Sequence, residues 1–140
     1  MPALTVPGVL DSLGILRRFI TEAAAGTGLD DKALYQLTLA VDEIATNIVA
    51  YGYEGNGLTG EIVITAETTP AEFVVTLTDT APAFDPRQRT APSAEDLARP
   101  LEERPIGGLG VMLALQGVDR FDYEWTGKGN RNIFAVNRNR

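Results

Sequence analysis

The 140-residue chain has no cysteine and no histidine. Without thiols there is no disulfide, no thiolate metal site, no Cys nucleophile and no iron–sulfur cluster. Without imidazole there is no Ser-His-Asp catalysis, no His-ligated zinc and no phosphohistidine on this chain. Any catalysis must rest on carboxylates, hydroxyls, Asn, Arg, Lys or the backbone. Long apolar runs are missing too: none approaches the roughly 20 residues that span a bilayer. The opening MPALTVPGVLDSL lacks a basic stretch followed by an apolar one, so no signal peptide, no membrane and a cytoplasmic location are expected. Lysine is scarce, at two against ten arginines, and 19 acidic against 12 basic residues leave a net charge of −7. Such a surface does not attract nucleic acid and suits a basic partner.

What is present describes one soluble domain spanning 1–140. Hydrophobic residues make up 44% and charged residues 22%, enough for a real core. Residues 3–6 suit a short strand before Pro7-Gly8. Asp11 or Ser12 is placed to cap a first helix carrying Leu13, Leu16, Phe19, Ile20 and Ala23, stopped by Gly26 and Gly28. Asp30 and Asp31 open the clearest element. Leu34, Leu37, Val41, Ile44 and Ile48 follow at spacings of 3, 4, 3 and 4, one apolar stripe on a helix ending near Tyr51-Gly52. The stretch 52–60 holds four glycines and reads as a loop. Residues 61–67 and 72–78 are rich in β-branched residues and form a hairpin about Pro70. Residues 79–106 contain five of the eight prolines and suggest a long functional loop with a short helix at 93–99. A short apolar helix over 109–117 and a hairpin of 120–126 and 131–137 complete the chain. The order β-α-α-β-β-loop-α-β-β predicts an α+β two-layer sandwich, a mixed, largely antiparallel sheet with helices on one face.

Three places carry chemistry. Glu43 and Asn47 lie four residues apart and share a helix face away from the apolar stripe. A carboxylate there suits proton abstraction from a hydroxyl, and an amide oxygen suits Mg²⁺; an ordinary solvated face is the alternative. Asp79, at a strand end, is placed to accept from a ligand amine, or simply starts a turn before proline. Gly107-Gly108-Leu109-Gly110 sits at a helix start, where backbone N–H groups favour phosphate; a junction needing positive φ is the alternative. Gly55-Asn-Gly-Leu-Thr-Gly60 matches G-x-G-x-x-G but follows a helix and precedes a strand, the reverse of a dinucleotide site, and reads as a turn. Gly127-Lys-Gly-Asn130 also reads as a turn.

In this order, Asp42-Glu-Ile-Ala-Thr-Asn47, Asp79-Thr-Ala-Pro-Ala-Phe-Asp-Pro86 and Gly107-Gly-Leu-Gly110 resemble the N, G1 and G2 boxes of the GHKL, or histidine-kinase-like, ATPase superfamily. The likeness is to bacterial anti-sigma-factor serine/threonine kinases, and Gly129-Asn-Arg-Asn132 before a strand looks like their tail. The resemblance implies the Bergerat ATP-binding fold, with ATP and Mg²⁺ as cofactors. It makes Glu43 the general base, Asn47 the Mg²⁺ ligand and Asp79 the adenine-reading carboxylate. Gly108 and Gly110 become the phosphate-side glycines and 87–106 the ATP lid, with Arg104 a candidate for the γ-phosphate. The implied partners are a sigma factor and an anti-anti-sigma STAS-domain protein, with a homodimer in many family members. Ala81 departs from the G1 pattern, which has Gly two residues after the Asp. Its methyl either crowds the base or is absorbed by a small backbone shift. The alternative function is therefore a non-catalytic partner-binding module.

Overall fold

The computed structural model describes residues 1–88 and 108–138. Most of the expected lid at 87–106, the helix at 93–99, Arg104 and Gly107 lie outside the described residues. The elements are β1 (Ala3–Pro7), α1 (Leu13–Ala24), α2 (Asp31–Asn47), β2 (Glu61–Thr68), β3 (Glu72–Asp79), α3 (Gly108–Gln116), β4 (Arg120–Trp125) and β5 (Asn130–Asn137). The sheet order is β1-β2-β3-β5-β4, antiparallel in every pairing. β5 thus slots between β3 and β4 and brings its first residue, Asn130, beside Asp79.

Alternation decides which side of the sheet meets the helices. Ile62, Ile64 and Ala66 of β2, Phe73, Val75 and Leu77 of β3, and Phe134 and Val136 of β5 are all buried. They pack under Leu16 and Ile20 of α1 and Leu37, Val41 and Ile44 of α2 in one core. The two-layer α+β sandwich is the one expected from the element order.

α2 is capped as its sequence requires. Asp30 is extended and its Oδ1 accepts from Ala33 N–H at 2.7 Å. α1 starts differently from expectation. Ser12 holds the N-cap position but its side chain accepts no capping bond; it ends a 3-10 turn, Leu10–Ser12, and its Oγ donates to Pro7 O at 2.7 Å. The expected loop at 52–60 is also largely helical. A π-helical turn, Ile48–Tyr53, and a 3-10 turn, Glu54–Asn56, prolong α2. Asn56 Nδ2 donates to the carbonyls of Tyr51 and Gly52 at 2.9 and 3.0 Å, which satisfies the exposed end of that prolongation. Only then does Gly57, at φ +65°, turn the chain toward β2.

Candidate functional site

One cavity of about 170 Å³ opens between the end of α2, its π-helical turn, the loop after β3 and the start of β5. Ile44 and Ile48 give it an apolar wall; Asn47, Asp79, Asn130 and Asn132 supply the polar groups. π-helical turns commonly occur at functional sites, because the extra residue re-aims side chains. Here the turn brings Tyr51 and Gly52 to the cavity alongside Asn47.

Asp79 ends β3 and is 2% exposed. Its two oxygens differ. Oδ1 accepts from Ala81 N–H and from Asn130 Nδ2, both at 2.9 Å. Oδ2 is buried and has no partner. Burial pushes the carboxyl pKa up; the hydrogen bonds from Asn130 and Ala81 oppose this without cancelling it. One oxygen therefore builds the loop and the other is left buried and unpaired on a residue that lines the cavity.

The loop after β3 is held from two further sides. Asn130 Nδ2 also donates to Ala81 O (3.2 Å) and Pro82 O (3.1 Å). Asn130 Oδ1 accepts from Phe84 N–H at 2.9 Å and from the Tyr123 hydroxyl. Gly129 must precede Asn130, since a Cβ there would lie 1.7 Å from Asp79 O. On the other side, the buried Tyr53 hydroxyl accepts from Thr80 N–H (2.9 Å) and donates to Glu61 O (2.6 Å). The ring of Tyr53 fills the space that side chains at Gly8 and Gly60 would need.

Ala81 is 2% exposed. A Cβ built on Gly52 would lie 2.9 Å from the Ala81 methyl, so that methyl already occupies the side-chain space of residue 52. A bare Cα at 52 makes room for the extra carbon at 81.

Glu43 is half-buried on α2, one turn before Asn47, and meets the first turn of α3. A Cβ at Gly110 would fall 3.0 Å from Glu43 Oε2. Gly108 is the first residue of α3, one residue before the expected start. Gly110 has no positive φ, so it is not there for a left-handed junction. Gly110 is there for close approach to the Glu43 carboxylate.

Asn47 does not lie on a solvated face, the alternative weighed for it: it is 7% exposed and its Nδ2 has no partner. The structure thus brings Asn47, Asp79 and Ala81 together on one cavity. Glu43 and Gly110 form a neighbouring pair at the α2–α3 contact. Sequence reasoning missed Tyr53, Gly52, Asn130 and Asn132 as site residues. For the asparagines a signal existed: they alternate with Phe134 and Val136 on the face of β5 that should be apolar.

The model of the histidine kinase-like ATPase domain family matches residues 6–134. The chain belongs to this family. Two curated relatives are named serine-protein kinase RsbW. The one from Bacillus cereus is 26% identical over 111 residues, 79% of this chain and 68% of that one. The one from Bacillus pumilus is 25% identical over 127 residues, 86% of this chain and 76% of that one. Among solved structures, the histidine kinase domain of the Erythrobacter litoralis EL346 blue-light activated histidine kinase superposes with a TM-score of 0.51 at 18% identity. That match covers 89% of this chain but only 64% of the kinase domain. Acinetobacter baumannii histidine kinase AdeS superposes with a TM-score of 0.53 at 11% identity, over 100% of this chain and 70% of that one. These likenesses establish the histidine-kinase-like ATPase fold. No helix among the described residues is long and apolar enough to cross a membrane.

Proposed function

We propose that this ATPase domain is an anti-sigma-type serine/threonine protein kinase: it binds ATP, holds a sigma factor and phosphorylates an anti-anti-sigma STAS-domain protein. One observation carries the nucleotide part. Among the described residues, three buried side-chain atoms lack any partner, Asn47 Nδ2, Asp79 Oδ2 and Asn132 Oδ1, and all three residues line the same cavity. Buried polar groups are nearly always paired in folded proteins. Three idle ones in one cavity fit a polar ligand with donors and acceptors, as a nucleotide base is.

In this reading Asp79 Oδ2 takes the adenine amine and Asn47 holds Mg²⁺ through its amide oxygen, the hard donor this ion requires. Bound Mg²⁺ supplies charge neutralisation on the phosphates. The first turn of α3, with Gly108 and Gly110, lies on the phosphate side. Glu43 takes the proton of the substrate hydroxyl as its oxygen bonds to the γ-phosphorus and ADP departs with the bridging oxygen. The remaining catalysis is positioning. The chain acts as a single ATPase domain over 1–140, with 87–106 as its lid. The serine-kinase naming of the curated relatives supports the protein-substrate part.

The second reading, a partner-binding module without nucleotide, was motivated by Ala81. The bare Cα of Gly52 gives that methyl room on one side, while Ala81 still lines the cavity. The test is Glu43→Gln with a STAS-domain substrate and ATP. The variant is expected to bind ADP as wild type does and to transfer no phosphate. Transfer at the wild-type rate would remove Glu43 as the base. Partner capture by a wild-type protein with no ATP affinity would establish the module instead.

A further inference from the structure

The core-facing side of β5 begins with two asparagines, Asn130 and Asn132, before Phe134 and Val136 continue it as an apolar stripe. Asn130 is fully engaged in holding the loop after β3. Asn132 is 2% exposed and its Oδ1 has no partner. An idle amide on a core face is costly, because it gives up water without compensation. A leucine or valine there would simply extend the core.

In the β3–β5 register Asn132 lies opposite Leu77, two residues from Asp79 on the same face. Cβ atoms in such diagonal positions are about 7–8 Å apart, within reach of one small group placed between their side chains. Both residues line the cavity, and the idle atom on each is an acceptor oxygen. Two buried, unpaired acceptors on residues of one cavity call for a group with two N–H bonds.

We propose that Asn132 is a second base-reading residue: its Oδ1 accepts one N–H of the adenine amine while Asp79 Oδ2 accepts the other. This rests on the nucleotide-binding reading above and adds the basis of its selectivity. Hypoxanthine and guanine carry a carbonyl oxygen where adenine carries the amine. That oxygen would face two acceptors at once, so the pair rejects such bases as well as welcoming adenine.

The test is Mg²⁺-dependent binding of ADP and of inosine diphosphate by calorimetry, with thermal unfolding on every protein. The proteins are the wild type, Asp79→Asn and Asn132→Leu, the last matching asparagine in shape without its polar atoms. Asn132→Leu should weaken ADP about three- to tenfold and leave inosine diphosphate unchanged or tighter. Its unfolding midpoint should hold or rise. If the leucine variant fails to fold, Asn132→Ala is read the same way. A purely structural role would weaken both nucleotides alike and keep their ratio. An unchanged ratio in a folded variant overturns the proposal; if Asp79→Asn has meanwhile lost ADP, the nucleotide reading stands. A wild-type protein that binds no ADP overturns both.

Discussion

Whether Ala81 narrows the base site or only fills the gap at Gly52 can be decided by a double-mutant cycle. In Gly52→Ala a new Cβ would sit 2.9 Å from the Ala81 methyl. Carbon atoms prefer about 3.5–4.0 Å, so the turn and the loop must part by roughly half an ångström or more. Overpacking of this kind costs about 1–3 kcal/mol. Against it, alanine in place of a helical glycine with no positive φ contributes about 0.5–1 kcal/mol. In the Ala81→Gly background the clash has no partner and only the gain remains. Urea unfolding of the four proteins should therefore give a coupling energy of about 1–3 kcal/mol, with Gly52→Ala destabilising or neutral alone and stabilising in the double variant. A coupling below about 0.5 kcal/mol would refute the packing argument. The same proteins report on the base. If the methyl seats on Gly52, Ala81→Gly should change ADP affinity by less than about threefold; tighter binding by about tenfold would mean that the methyl crowds the nucleotide.

Other perturbations follow from the same geometry. Asp79→Asn keeps an oxygen for Ala81 N–H and Asn130 and removes the desolvated charge. Because the folded-state pKa of Asp79 is raised, wild-type stability from this group is present below about pH 4 and is lost as pH rises through the folded pKa. The melting advantage of Asp79→Asn should thus be small in acid and grow toward neutral pH while ADP binding disappears; a pH-independent difference would contradict the desolvation argument. Gly129→Ala would push a methyl into Asp79 O, and a loss of more than about 2 kcal/mol in denaturant unfolding is expected together with loss of ADP binding; a silent variant would show that the β3–β5 approach is looser. Tyr53→Phe leaves Thr80 N–H and Glu61 O unpaired, at about 1–3 kcal/mol, and should also weaken ADP because Thr80 links Asp79 to Ala81. Stability lost with affinity intact would make Tyr53 a support of the fold alone.

The elements were legible because local pattern decides them. The 3/4 spacing from Leu34 to Ile48, the Asp30 cap and the β-branched runs of β2 and β3 each carry their own instruction. Asp79 was legible because its position after an apolar run marks a strand end. The site's scaffolding was not. Asn130 grips Asp79 across 51 residues and Tyr53 meets Thr80 across 27. Such pairings depend on strand order, and the insertion of β5 between β3 and β4 is not written in any one segment. The burial of Asn47 was hidden for a related reason. The π-helical turn after it and the arriving loop enclose a face that helical periodicity alone leaves in solvent.

The contrast between Asn130 and Asn132 bears on how the site came to be open. They share a strand, a face and a residue type, so propensity and burial treat them alike. Yet one amide is saturated and the other has an idle oxygen. Both line the cavity; the difference is that Asn130 also abuts the loop after β3 and spends its amide there. Elsewhere in the described core the polar side chains close their own circuits, Ser12 onto Pro7 O and Tyr53 onto Thr80 and Glu61. A fold that tolerated unpaired groups at random would scatter them through the core. This one confines its three to residues of a single cavity, beside a carboxylate whose other oxygen is fixed by two bonds. In the proposed nucleotide reading the site's geometry is set before the ligand arrives, at a cost in stability that ligand binding should return. ADP with Mg²⁺ should therefore raise the unfolding midpoint of the wild type by more than it raises that of Asn132→Leu, in which one of the three vacancies has been closed.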